Sequence, residues 1–143
     1  MMFHKILAPT DLSEPSFRAL RKAMVLAKEN DAELTLLRVL SNDEIINGET
    51  ELDIEQHHFD EVVRDYAPPT LVVNTLVCIG DVVNEILRTA EEGKFDLIVM
   101  ATHGATGRRE FALGSVTDEI VRMAPCPVLT IGSTVRRGQN DSS

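Results

Sequence analysis

The stretch Ala101-Thr102-His103-Gly104-Ala105-Thr106-Gly107-Arg108-Arg109-Glu110-Phe111-Ala112-Leu113-Gly114-Ser115 concentrates most of what this sequence could do chemically. Leu97-Ile98-Val99-Met100 precedes it and reads as a short buried strand, because the run is apolar and continuous. Ser115-Val116-Thr117-Asp118 follows it and reads as a helix start. Ser115 can cap the first-turn amides, and Asp118, three residues on, is a conservative variant of a capping box. Strand, glycine-bearing loop and helix N-terminus together suit an anion such as a phosphate, since exposed N–H groups and the positive dipole end coincide there. Gly104 and Gly114 let backbone approach that anion closely. The same glycines would equally serve a plain turn. The two best-defined phosphate loops are absent: no G-x-x-x-x-G-K-[ST] occurs, and no G-x-G-x-x-G follows the first strand.

Other chemistry-bearing residues are fewer. Asp11 follows the first strand directly, where a carboxylate can accept hydrogen bonds from a ribose hydroxyl or an adenine amino group, or from its own turn backbone. Val39, at the end of the second strand, can lie against a base or simply fill the core. His57 and His58 stand beside Asp53, Glu55, Asp60 and Glu61, but no second ligand cluster accompanies them, so a solvated helix side is expected rather than a metal site. Cys78 and Cys126 should fall at opposite ends of the sheet, too far apart for a disulfide, which needs Cα atoms within roughly 7 Å; two reduced, buried thiols fit a cytosolic protein. No Cys-His or Ser-His-Asp arrangement presents itself. A phosphoryl-transfer centre would need a metal-binding carboxylate pair and a cation on the phosphates. A phosphoacceptor domain would need an acidic pair after strand one, an Asp after strand three and a Lys near strand five; here Asp11 stands alone and no Lys follows Lys94.

These residues need a frame. The chain of 143 residues reads as one domain, with a core over about residues 3–132 and a polar tail over 133–143. It is 43% hydrophobic and 26% charged, ordinary for a globular protein. A net charge of −9 opposes nucleic acid and anionic membrane surfaces as partners, though not a small anion in a locally positive site. No run reaches the roughly 20 apolar residues of a membrane span, and the N-terminus lacks the pattern of a signal peptide, so a cytoplasmic location is expected.

Strands are expected over Lys5–Thr10, Glu33–Leu40, Leu71–Cys78, Leu97–Met100 and Val128–Ile131. The helices between them run from an N-cap at Ser13 to about Asn30, from Leu52 to Tyr66, from Gly80-Asp81 to Gly93, and from Ser115 to the Pro125-Cys126-Pro127 break. Ser41 to Glu51 reads as a loop. Inward stripes are Phe17, Leu20, Ala23, Met24 and Ala27; then Ile54, Phe59, Val62 and Val63; then Val82, Val83, Ile86, Leu87 and Ala90; then Val116, Ile120 and Met123 or Ala124. Five alternations of strand and helix imply an α/β fold, a parallel sheet with helices on both faces. Ligands in such sheets sit beyond the carboxyl ends of the strands, where strand order reverses.

Ile6-Leu7-Ala8-Pro9-Thr10-Asp11, Asp96-Leu97-Ile98-Val99-Met100, the loop from Ala101 to Ser115 and Cys126-Pro127-Val128-Leu129 together resemble the universal stress proteins of the UspA type. The resemblance spans about residues 3 to 132 in the right order. It implies a Rossmann-like, single-domain, five-stranded parallel sheet of order 3-2-1-4-5, similar to adenine nucleotide alpha hydrolases. The nucleotide-binding branch of that family carries G-x2-G-x9-G-[ST]. Gly104, Gly114 and Ser115 match it, and Ala101 replaces the first glycine, which is tolerable at negative φ and strained at positive φ.

The resemblance implies ATP, or AMP or ADP, as ligand, with a divalent metal ion held only by the phosphates. Asp11 and Val39 are implied at ribose and adenine, and Ala101, Gly104, Gly114 and Ser115 at the phosphates. The neighbouring strand-end and helix-start residues Pro9, Thr10, Met100, His103, Val116 and Thr117 complete the expected site, which has no catalytic residue. A regulatory or stress-survival protein acting on some other protein follows. The alternative is a dimeric stress protein that binds no nucleotide and acts through its surface; a slow ATPase or self-phosphorylating protein is the third reading. The apolar strand Val128–Ile131 would lie at the sheet edge and invite homodimer pairing, which Leu129→Pro is expected to break by removing a ladder donor.

Overall fold

The computed structural model describes residues 2–46, 49–102 and 114–132. In chain order it contains β1 (Lys5–Pro9), α1 (Glu14–Asn30), β2 (Glu33–Leu40), a single 3-10 turn (Asn42–Glu44), α2 (Glu49–Tyr66), β3 (Val73–Ile79), α3 (Val82–Glu92), β4 (Leu97–Ala101), α4 (Ser115–Met123) and β5 (Val128–Ile131). The five strands form one parallel sheet in the order β3-β2-β1-β4-β5. The chain therefore winds outward from β1 in one direction and from β4 in the other. The expected α/β architecture and strand order are both present.

Alternation along the strands separates two apolar layers. Ile6 and Ala8 of β1, Leu34 and Leu36 of β2, and Leu97 and Val99 of β4 pack with Leu20, Ala23, Met24 and Ala27 of α1 and Phe59 of α2. Leu7, Leu37, Val39, Ile98 and Met100 face the other way, toward Ile86 and Ala90 of α3 and Ile120 of α4. Strands buried on both faces must be apolar throughout, which is why β1 and β4 carry continuous rather than alternating apolar runs. The amino end of the sheet is tied by Asp96, whose carboxylate accepts the backbone N–H groups of His4 and Lys5 at 2.8 and 3.0 Å.

The differences from the sequence reading have local causes. Helix α2 begins at Glu49, inside the stretch read as a loop, because its first turn is polar and carries no apolar period. Strand β3 starts at Val73 rather than Leu71, whose N–H closes a turn onto the Pro68 carbonyl at 3.0 Å. Ile54 and Met123 are exposed, at 49% and 64%, so neither belongs to an inward stripe. Ala124, just beyond α4, packs on the core in place of Met123. Ser13 and Ser115 were both expected to cap helices, and neither side chain does so. Ser13 is the residue before α1, but its hydroxyl bonds to Asp11; Ser115 is the first helical residue of α4, one place too late, and Gly114 holds the cap position.

The edge strand also differs in a detail that matters for assembly. The carbonyls of Pro127 and Ile131 accept N–H groups from Ile98 and Thr102 on the β4 side, each at 3.0 Å. In a parallel ladder, alternate residues face the same neighbour. Leu129 therefore points its backbone groups into the β4 ladder, and Val128 and Thr130 present theirs to the open edge. Leu129→Pro would damage the sheet itself, so the residue suited to test edge pairing is Thr130.

Candidate functional site

The site is assembled from the carboxyl ends of β1, β2 and β4. Where β1 ends, Pro9, Thr10 and Asp11 lead into a tight connection. The Thr10 hydroxyl oxygen accepts the Leu12 N–H at 2.9 Å. One Asp11 carboxylate oxygen accepts the Ser13 N–H at 3.0 Å and the Ser13 hydroxyl at 2.5 Å. Leu12 between them adopts φ 62°, a left-handed conformation that costs a bulky residue of order 1–3 kcal/mol unless its surroundings hold it. Here the two side-chain-to-backbone bonds on either side, and packing of Leu12 on the α1 side of the core, do so. Asp11 thus performs the turn role considered for it, with this carboxylate at the mouth of the cleft described below.

Where β4 ends, Ala101 still lies within the strand, 5% exposed, and is not among the residues with positive φ. Alanine in place of glycine is therefore unstrained here. The buried Thr117 hydroxyl donates to the Ala101 carbonyl at 2.8 Å, fastening the first turn of α4 to the end of β4. Gly114 donates its N–H to the Thr102 carbonyl at 2.6 Å, closing the base of the loop. Gly114 has no side chain with which to cap α4, and among the described residues no side-chain cap bond is made at this helix end.

The β2 end is charged. The Arg38 guanidinium donates from Nη1 to the Val39 carbonyl and from Nη2 to the Glu44 carboxylate, both at 2.8 Å. Glu44 also accepts the Ser41 N–H at 2.8 Å, the carboxylate half of a capping box on the 3-10 turn, and the Ser41 hydroxyl at 3.2 Å. Burial alone would push the Glu44 carboxyl up; the bonds from Arg38 and Ser41 outweigh it and hold the group below the usual carboxylate range.

These three ends enclose a cleft of about 370 Å³, within the size range of small-molecule sites. Of the residues expected at the site, Pro9, Thr10, Asp11, Val39, Met100, Ala101, Gly114, Ser115, Val116 and Thr117 all line it. His103 and Gly104 lie outside the described residues. The cleft also takes in Ser16, Leu37, Arg38, Glu44, Val82 and Ile86, which sequence reasoning did not name. Ser41-x-x-Glu44 was a readable capping-box pattern, and it would have drawn attention to Glu44. Nothing in the sequence signals that Arg38 bends back over its own strand.

The remaining candidates fall elsewhere. His57 and His58 lie on the exposed side of α2, 3.3 Å from Glu61 and 3.7 Å from Glu55 respectively. Among the described residues, no three His, Cys, Asp or Glu side chains stand together as a metal site. Cys78 and Cys126 are free, half-buried thiols on opposite edges of the sheet. Burial pushes both thiols up, with Glu85 adding to it at Cys78 and Asp96 at Cys126.

A cleft at the strand-order reversal of a 3-2-1-4-5 sheet, bounded by the N-terminus of α4, stands where doubly wound α/β proteins hold their ligands. Residues 2–132 match the Universal stress protein family, and the chain belongs to that family. It is similar to Universal stress protein MJ0531 of Methanocaldococcus jannaschii, 34% identical over 140 residues that cover 91% of this chain and 82% of that protein. Among solved structures, its fold is shared by a universal stress protein in complex with cAMP, with TM-score 0.72, 20% identity, and 94% and 100% of the two chains covered. The fold is also shared by the universal stress protein from Archaeoglobus fulgidus in complex with dAMP, with TM-score 0.67, 17% identity, and 91% and 98% covered.

Proposed function

We propose that the cleft binds an adenine nucleotide, ATP or AMP, and that the protein is a nucleotide-dependent regulator of stress survival with no catalytic residue of its own. The observation that carries this reading is the polarity of this cleft. Its β4 side offers the N-terminus of α4, from Gly114 to Thr117, where phosphates are favoured. Its β2 side offers Val39, Val82 and Ile86, an apolar slot suited to a flat base. Asp11, which follows β1 between β2 and β4 in the sheet order and lines the cleft, is the residue assigned to the ribose. The ligands of the two structures named above, cAMP and dAMP, share the adenine base and a phosphate, which supports the same class of ligand here. Gly104 is assigned to the phosphates on the family motif alone, His103 is assigned to the site as its neighbour in the loop, and any divalent metal ion would be held by the phosphates.

Calorimetric titration with ATP and with AMP tests the reading. Saturable binding is expected. The absence of heat, and of any thermal shift, at millimolar nucleotide would refute it and leave a protein that works through its surface. The protein is further proposed to be cytoplasmic and to form a homodimer through β5; no helix among the described residues is long and apolar enough to cross a membrane.

A further inference from the structure

If the phosphates lie at α4, the base lies at the opposite end of the cleft, beside Arg38 and Glu44. These two residues form the only charge pair on the cleft wall among the described residues. Arg38 is held from several sides, and Glu44, its side chain 42% exposed, is held by its hydrogen bonds to Arg38 and Ser41. Arg38 is mostly buried, its side chain 12% exposed, and shares the α1 and α2 face of the sheet with Leu36. Behind it, Glu55 of α2 stands 3.7 Å from Nε, too far for a hydrogen bond but close enough to hold the guanidinium by charge. In front, one guanidinium grips two acceptors at equal distance, the Val39 carbonyl and the Glu44 carboxylate. Both acceptor residues line the cleft.

Counting lone pairs shows what this arrangement can still accept. An ionised carboxylate has about four lone-pair sites, and a carbonyl two. Among the described residues Glu44 uses three, on Arg38 Nη2, Ser41 N and Ser41 Oγ. Val39 uses one, on Arg38 Nη1. One acceptor site remains on each. Two acceptors held side by side suit a group with two hydrogens to donate. They oppose a keto oxygen, which would set a third acceptor against them.

We propose that Glu44 is a specificity residue: positioned by Arg38 and Ser41, its carboxylate accepts a hydrogen bond from the exocyclic amino group of adenine and disfavours a 6-keto purine. This deepens the adenine-nucleotide reading and rests on it. Arg38 is the positioning residue, since its guanidinium fixes the carboxylate but spends its cleft-side donors on the protein.

The test titrates the full chain with ATP and ITP, which differ at the purine 6-position, in the wild type, Glu44→Gln and Glu44→Ala. Melting curves confirm that each variant is folded. The wild type should prefer ATP by about tenfold or more, the scale of a hydrogen bond to a charged group. In both variants the ratio should close toward one, because ATP affinity falls. Equal wild-type affinities, or a preference that survives in both variants, would overturn the role of Glu44 and leave nucleotide binding standing. Binding of neither nucleotide would overturn the underlying reading and this inference with it.

Discussion

Thr117→Val is the sharpest probe of how the site is built. The two side chains have nearly the same shape, so the substitution removes one hydroxyl and little else. That hydroxyl is 2.8 Å from the Ala101 carbonyl, and Thr117 is 4% exposed. The carbonyl would lose its side-chain partner in a place water barely reaches, so the loss should combine a hydrogen bond with part of a desolvation penalty, about 1–3 kcal/mol. For a chain of this length each kcal/mol lowers Tm by roughly 3 °C, so a fall of about 3–9 °C is expected. The bond also joins β4 to α4 on the cleft wall, so the N-terminus of α4 should lose its fixed position and nucleotide affinity should fall with it. Thr117→Ser keeps the donor and should retain binding while melting slightly lower through the lost methyl. Differential scanning calorimetry, with and without saturating ATP, measures both effects. A Thr117→Val protein that melts and binds like the wild type would show that the Ala101 carbonyl finds another donor and that the strand-to-helix tie does not organise the cleft.

Three further outcomes are expected. Asp11→Ala should weaken ATP far more than tripolyphosphate in calorimetric titration, and should lower stability by about 1 kcal/mol through loss of the Ser13 bonds; equal losses for both ligands would mean that Asp11 serves only its turn. Iodoacetamide should modify Cys78 and Cys126 slowly near neutral pH, with rate midpoints above the ordinary thiol value. The fold favours their protonated forms, so that contribution to stability is present below the ordinary thiol pKa and is lost as pH rises through the raised values. Wild-type protein should sediment as a dimer at tens of micromolar and Thr130→Pro as a folded monomer, because only the outward edge loses a donor; a monomeric wild type would refute pairing through β5.

The sheet was legible because each central strand is buried on both faces and must be continuously apolar, a pattern short enough to distinguish from the amphipathic helices beside it. Leu97 to Met100 and Lys5 to Pro9 are the clearest cases, and the glycine loop after one and Asp11 after the other marked the strand ends that meet at the cleft. Helix ends were less legible. Ser115 has the right chemistry for a cap, but Gly114 occupies the cap position, and a difference of one residue is decided by how the loop closes onto Thr102 rather than by side-chain type. Arg38 and Glu44 were missed for a different reason. Six residues apart, across a strand end and a 3-10 turn, they meet at no spacing that a periodic pattern would reveal.

Ala101 shows how far a motif departure can be weighed from backbone alone. A glycine at the head of G-x2-G-x9-G-[ST] could serve two purposes: a left-handed φ, or space for a phosphate against the chain. The first is not in play, since Ala101 is paired in β4 opposite Ile131 and keeps strand geometry. The second costs only a methyl, on a residue that lines the cleft with its carbonyl already bound to Thr117. A left-handed φ is instead found after the neighbouring strand β1, at Leu12, in the turn held by Thr10 and Asp11. Ala101→Gly should therefore leave ATP affinity almost unchanged in calorimetric titration and should destabilise the strand slightly, by the extra backbone entropy of glycine, about 0.5–1 kcal/mol. A large gain in affinity would mean that the methyl group stands where a phosphate needs to be.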